Sequence, residues 1–443
     1  MKVAVVFHVP SPGGLTRFTH ALIDGLLSAD REVEIDYYLS DRLIEADRVP
    51  HFVDARRVRT IGLSDPDVID SNLDDRNRLV QWVNLRLSGY RRTHAALGEL
   101  YLWLWSVAVR FGKRRRGKHW YQFALTPEMV DSLGVYDVVY FPFPYYIDPA
   151  PVAAPVVGTF HDMNHKHFPD SFHGRLLRQM DRQLGYWTTR ADAVVVSTRF
   201  IQEDLLRYYP GAAGRCSIVY VPPYSTVSTP EFAREAVLAR FGLRDEGFIL
   251  YPSNQARHKN LLGLVAAADI VKRQSGQLTY PVAFTGFGTD KLGSGTVRSF
   301  AEVDEFLGSS SLIVGEDVLG LGFVTDEEVD LMTRSARIVV STSLYEAGCG
   351  PALDAWQFGV PVAFSNIPPF VEQLEALGVE AWTFDPRDPK DIARVLTRAL
   401  SEREASLAMA ARSKEAISGH TWQRAAEAYL RIFEQAIEHH RTV

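Results

Sequence analysis

The sequence predicts an α/β protein built from two doubly wound, Rossmann-like domains with parallel sheets. Three observations predict this. Short apolar, β-branched runs such as Val3–Phe7, Ala193–Val196 and Ile338–Val340 alternate with stretches of helical periodicity, as strands buried on both faces by crossover helices do. The 443 residues exceed what one hydrophobic core supports. The strand–loop–helix rhythm also restarts at Phe248–Pro252, after a Ser/Thr/Pro stretch at 224–235 that reads as a linker. Two domains are expected to face a central cleft. Residues 1–228 form the first, with an insert at about 41–130 and a completing segment at 420–443. Residues 229–419 form the second.

Bulk properties exclude several classes. The chain is 46% hydrophobic and 23% charged, ordinary for a globular protein, and its net charge of −6 gives no reason to expect nucleic-acid binding. Two cysteines, Cys216 and Cys349, make no disulfide framework, and no Cys/His spacing suits zinc. No run approaches 18 apolar residues, and the start lacks signal-peptide regions, so a cytoplasmic protein is expected.

Val3–Phe7 reads as a buried strand leading through His8–Gly14 into a helix from Leu15 to Leu27. The loop lacks G-x-G-x-x-G, so a nicotinamide site is not supported, but Gly13 and Gly14 let backbone approach a ligand closely. Val33–Leu39 is a second strand. Within 41–130, the aromatic run Tyr101–Val109 lies between Arg91–Arg92 and the basic Lys113–Lys118 segment. It reads either as a core helix ending in a solvated basic loop or as a peripheral contact with the inner membrane surface through 91–118.

Asp137–Pro142 and Pro155–Phe160 are further strands, the latter delivering His161–Asp162 at its ligand-facing end. Asp162 is expected to orient the imidazole, leaving the other ring nitrogen for a hydroxyl. His165 and His167 follow without a metal-like pattern. Ala193–Thr198 is a strand leading into a helix capped by Ser197 or Thr198, and a strand at Ile218–Pro223 closes the first half.

The second half opens with the strand Phe248–Pro252. Its loop, Ser253–Asn260, carries Arg257 and Lys259 just before a helix from Leu261, an arrangement suited to a diphosphate. Segments 282–288 and 314–323 supply more strands and loops. Thr325 or Asp326 suits a helix N-cap. The strand Ala336–Val340 then feeds Ser341–Trp356, whose loop holds Glu346, Gly348, Cys349 and Gly350 before Pro351 opens a helix carrying Asp354. Pro361–Pro368 is the next strand and turn, and Trp422–His440 is an amphipathic helix.

The Glu346-to-Asp354 block, with Pro351 and the following Gly359–Val360–Pro361–Val362, resembles the acid-x7-acid signature of retaining glycosyltransferases of the GT-B fold, family four. Asp354 replaces the usual second Glu, and Ala347–Gly350 replaces Gly-Phe-Gly-Leu. The Gly13–Gly14 pair, His161–Asp162, Lys259–Asn260 and Gly322–Glu328 are similar to other segments of that family. Asn254 stands where many members carry an Arg. The resemblance covers roughly 1–30, 137–225 and 248–440, and implies that the last helix crosses back to the first domain.

What this resemblance implies is glycosyl transfer from a UDP- or GDP-sugar to a saccharide or lipid-linked saccharide in surface polysaccharide synthesis. Configuration would be retained, with no cofactor beyond the nucleotide sugar. No Asp-x-Asp pair sits in a plausible strand-end loop, since Asp65–Pro66–Asp67 lies in the insert, so no metal is expected. His161, Glu346 and Lys259 are the expected catalytic residues. Gly13, Gly14, Asn254, Arg257, Lys259, Gly348, Cys349, Gly350 and Asp354 are expected to bind the donor, with Asp354 at the ribose. The rival readings are a sugar-nucleotide epimerase on the same fold, a phosphorylase, and a non-catalytic nucleotide- or sugar-binding protein.

Overall fold

Strand β1 (Lys2–Phe7) pairs in parallel with β2 (Glu34–Ser40) on one side and β4 (Val138–Phe141) on the other. Among the described residues this places it inside a seven-stranded sheet of order β3-β2-β1-β4-β5-β6-β7. The remaining strands are β3 (Val58–Leu63), β5 (Val156–Thr159), β6 (Ala193–Val196) and β7 (Cys216–Ile218). All pairings are parallel. The computed structural model describes residues 1–9, 13–45, 49, 51–63, 123–172, 174–224 and 233–442.

The second half repeats the plan with six strands. They are β8 (Ile249–Pro252), β9 (Val282–Thr285), β10 (Val318–Gly320), β11 (Ile338–Ser341), β12 (Val362–Ser365) and β13 (Trp382–Phe384). Their order is β10-β9-β8-β11-β12-β13, again parallel throughout. The strand order therefore reverses between β1 and β4 in one sheet and between β8 and β11 in the other. Loops leaving the strands diverge at such reversals, so crevices open there.

The sheets form because their strands are β-branched and apolar on both faces, with helices covering both. One core in the first half joins Val3, Val5 and Phe7 to Phe18, Leu22 and Leu26 of the Gly14–Ala29 helix. Residues of the last helix, Trp422–Thr442, belong to this same core: Ala426, Tyr429, Ile432, Phe433 and Ala436. Tyr429 and Tyr140 both share hydrogen bonds with the Thr159 hydroxyl, at 2.9 and 2.7 Å. Gly25 permits the crossing, since a Cβ there would stand 2.5 Å from the Trp422 carbonyl oxygen. The terminal helix thus closes over the first sheet.

Some boundaries differ from the sequence reading. The strand expected at Ile218–Pro223 is found instead at Cys216–Ile218, sharing one residue with that reading; Pro222 and Pro223, which have no N–H to offer a ladder, lie beyond it. β3 was not expected; its Val58–Leu63 residues alternate only weakly, being an edge strand half in solvent. β13 is a three-residue edge strand and was likewise not read. Of the insert, residues 41–63 contribute the Asp41–Glu45 helix and β3. The 91–118 stretch, Asp65 and Asp67 lie outside the described residues.

Candidate functional site

Lys259 leaves the end of β8 on a loop held in place from several directions. The Asn254 side-chain oxygen accepts from the Ala256 N–H at 3.0 Å and shapes the first turn. Asn260 adopts a left-handed conformation (φ 54°) and caps the Leu261–Ser275 helix by accepting from the Gly263 N–H. The Tyr251 hydroxyl donates to the Lys259 carbonyl at 2.8 Å, and Thr342 donates to the Asn260 carbonyl at 2.9 Å. Those anchors turn the lysine toward the neighbouring strand, β11.

Glu346 waits there. The Lys259 ammonium donates to its carboxylate, and Ser343 donates to the same oxygen at 2.9 Å. Burial works against the charge on Lys259, but Glu346 and Tyr251 outweigh it and hold the amine above its ordinary range. Both side chains are mostly shielded, Lys259 at 22% and Glu346 at 17% exposure. The pair thus lies at the β8/β11 strand-order reversal.

His161 follows β5 in the opposite half. Its Nε2 donates to the Pro142 carbonyl at 2.9 Å, so in the neutral ring Nδ1 keeps a lone pair. Burial lowers the imidazole to about 4, with the Pro142 carbonyl pulling the other way. Phe18 meets the ring edge-on at 4.8 Å. Asp162 is not the orienting partner expected from the sequence. Its carboxylate instead accepts from the Asn164 N–H at 2.8 Å. Burial raises Asp162 to about 6, and it lies within electrostatic reach of both Glu346 and Lys259. The two halves therefore bring their charged groups together here.

The Gly350–Phe358 helix starts beside this pair, and its first amides are already partly engaged. Gln373 accepts from the Cys349 N–H at 2.8 Å. Burial pushes the Cys349 thiol up to about 12, so it is neutral. Gly350 faces the Tyr224 ring, which a Cβ there would meet at 3.2 Å, whereas Gly348 is more open. Asp354, 3% exposed, accepts from the Tyr224 N–H at 2.8 Å and lies 3.5 Å from an Arg17 nitrogen. In this arrangement it joins the two halves.

Gly13 and Gly14 stand at the start of the Gly14–Ala29 helix, and a Cβ at either would meet nothing within 4 Å. Arg257 turns away from Glu346 to Glu302, at 2.8 Å, and is half exposed. His161, Ser197, Tyr224, Gly348, Gly350 and Gln373 are among the residues lining a cavity of about 80 Å³ between the halves. Among the described residues, no cluster of three His, Cys, Asp or Glu side chains is placed to hold a metal ion.

Sequence reasoning missed three bridging residues. Arg17 reaches Asp326, Asp330 and Asp354, each at 3.5 Å. Glu372 accepts from the Arg199 and Phe200 N–H groups at the start of the Arg199–Tyr208 helix, and from the Tyr220 hydroxyl. Tyr345 enters the core of the first half. All three act across the interface, where no local pattern marks them.

The sequence matches the Glycosyl transferases group 1 family over residues 235–416 and Glycosyltransferase Family 4 over 91–222. The chain belongs to the family-four glycosyltransferases. Among its relatives, the O-antigen chain mannosyltransferase B of Escherichia coli is 25% identical over 256 residues, covering 56% of this chain and 61% of that protein. The serotype-specific mannosyltransferase WbdA of Escherichia coli is 24% identical over 256 residues, 56% of this chain but only 30% of the relative. The match to these curated relatives thus spans about three-fifths of one and less than a third of the other.

Solved glycosyltransferase structures share the fold. HepE from Anabaena, crystallised with UDP and glucose, superposes with a TM-score of 0.63 at 14% identity, covering 97% of this family-four chain and 98% of HepE. WaaG, a glycosyltransferase involved in lipopolysaccharide biosynthesis, gives 0.58 at 13% identity, covering 97% and 99%. The GT-B architecture expected from the sequence is the one observed.

Proposed function

We propose that this chain transfers a glycosyl group from a UDP- or GDP-sugar to a saccharide or lipid-linked saccharide in surface polysaccharide synthesis, retaining anomeric configuration. The observation that carries the reading is the Lys259–Glu346 pair, set at the β8/β11 reversal in the half opposite His161. The mannosyltransferase relatives support the polysaccharide context, and the UDP complex of HepE supports a nucleotide-linked donor.

In the proposed reaction the bond from the anomeric carbon to the diphosphate oxygen breaks. The acceptor hydroxyl oxygen bonds to that carbon on the same face, and its proton passes to the departing phosphate. Charge therefore grows on the diphosphate, where the Lys259 ammonium would offset it; one well-aimed donor is worth about 3 kcal/mol. Glu346 would hold the sugar hydroxyls, and the His161 Nδ1 lone pair would accept from one. No resident metal is invoked, because Lys259 and the amides around Gly348 would neutralise the phosphates.

The donor would enter between the halves, which would then close over it and exclude water during transfer. No described helix is long and apolar enough to cross a membrane. A cytoplasmic location is part of this proposal and rests on the polysaccharide-synthesis reading.

The test is incubation with UDP-, GDP- and ADP-hexoses, with and without saccharide acceptors and with and without EDTA. Nucleoside diphosphate release and glycoside mass are followed, and the product anomer is read by NMR. Acceptor-dependent release that survives EDTA is expected. Sugar epimerised without acceptor, or no turnover and no thermal shift with any donor, would overturn the assignment.

A further inference from the structure

The residues immediately before Lys259 and Glu346 are both tied to the other half of the molecule. Tyr345 precedes Glu346 on the β11 loop, yet it is 5% exposed and packs in the core of the first half. Its hydroxyl donates to Asp204 at 2.8 Å and accepts from the Met163 N–H at 2.8 Å. Its ring stacks on His167 with centroids 4.2 Å apart, and the His167 Nε2 stands 2.7 Å from the same Asp204 carboxylate. His258 precedes Lys259, and its Nδ1 accepts from the Asn164 side-chain amide at 3.0 Å. The two loops are clipped together where Leu344 N–H donates to the His258 carbonyl at 2.7 Å.

One short segment of the first half, His161–Phe168, therefore holds both loops while presenting His161 itself. We infer that Tyr345 and His258 are positioning residues, through which this segment sets the Lys259–Glu346 pair and couples its geometry to closure of the two halves. The inference rests on the transferase reading for its kinetic consequence but not for its structural one.

The physical reason is the cost of separating these groups. A buried phenol with two hydrogen bonds cannot leave its socket without exposing Asp204 and the Met163 amide. Either the β11 loop travels with the first half when the cleft opens, or Tyr345 withdraws. Both routes move Glu346. Misplacing a reacting group by about 1 Å costs on the order of a hundredfold in rate.

The test uses the full chain with Tyr345→Phe and Asp204→Asn, singly and together, and Asn164→Ala for the second anchor. Tyr345→Phe keeps the ring and removes only the hydroxyl. The expected result is a kcat about tenfold to a hundredfold lower, with nucleoside diphosphate affinity by calorimetry changed less than about twofold. The double variant should be no slower than the slower single. Lys259 reactivity toward an acylating reagent, read by mass spectrometry, should rise at least about threefold as its pairing loosens.

An unchanged kcat, or a parallel loss of kcat and nucleotide affinity, would overturn the inference. If the wild-type chain transfers no sugar, the functional reading fails separately. Lys259 reactivity then decides this inference alone, and unaltered reactivity in both Tyr345→Phe and Asn164→Ala refutes it.

Discussion

Lys259 and Glu346 lie 87 residues apart in sequence and form an ion pair at the ends of two adjacent parallel strands. Ser343 donates to the same carboxylate oxygen, and Tyr251 holds the lysine backbone from below. In the proposed reaction the pair's opposite charges would serve opposite parts of a nucleotide sugar, the cation the phosphates and the anion the hydroxyls.

Replacing Glu346 by Gln keeps the shape but leaves the Lys259 charge without its partner. Transfer is expected to fall by at least about a hundredfold. Stability should drop by roughly 3 kcal/mol, the cost of stranding one member of a shielded ion pair. Steady-state kinetics and urea unfolding check the two effects. Full transfer activity in this variant would remove Glu346 from the mechanism.

Arg17 links the halves through three carboxylates; burial works against its charge, while Asp354, Asp326 and Asp330 hold it protonated. Asp326 is 63% exposed, so solvent screens its share, whereas Asp330 and Asp354 are almost wholly shielded. Arg17→Gln should loosen the closed arrangement. Small-angle scattering is expected to show a larger radius of gyration, and nucleotide-sugar KM should rise more than kcat falls. A radius equal to wild type would mean that other contacts maintain closure.

Acid should weaken the fold in a defined window. Burial lowers His8, His20, His161, His165 and His258 from 6.5 to about 4. Between those values the unfolded chain binds more protons than the folded one, so stability is full above about pH 6.5 and is lost as pH falls toward 4. Asp162, raised from 3.8 to about 6 mainly by burial, and Asp24, also raised by burial, act in the opposite sense, but they are two groups against these five and His420, which burial lowers as well. Urea midpoints should therefore fall from pH 7 to pH 5, with a shallower dependence in His161→Gln. A flat profile would contradict the burial of these rings.

Gln373 occupies the Cys349 amide that a phosphate oxygen would use. Removing it with Gln373→Ala should lower the dissociation constant of a nucleoside diphosphate by up to about tenfold, the worth of one net hydrogen bond. Calorimetry measures this directly. Weaker binding would show instead that Gln373 supports the loop in its binding shape.

Much of the architecture was legible beforehand because the information is local. β1, β4, β5, β6, β8, β9, β11 and β12 are runs of apolar, mostly β-branched residues between breakers, and buried parallel strands carry that pattern in themselves. Thr198 and Thr325 cap the helices anticipated for them, and Thr325 completes a capping box with Glu328. Edge strands β3 and β13 were not legible, since a strand covered on fewer sides needs less apolar character. Arg257 was placed at a phosphate by its position in the loop. Its bond to Glu302 depends on a residue 45 positions away.

The sequence by itself determined the two-sheet α/β plan, the loops that carry the candidate chemistry, and the placing of Lys259 and Glu346 at strand ends. Periodicity, turn residues and helix caps act over a few neighbouring residues, so one-dimensional order is enough to reveal them. Only the tertiary structure decided the partners: Pro142 rather than Asp162 on His161, Arg17 and Tyr224 on Asp354, Asp204 on Tyr345. Those pairings depend on how two separately built sheets meet, and a side chain's charge or polarity does not specify which distant group will neutralise it.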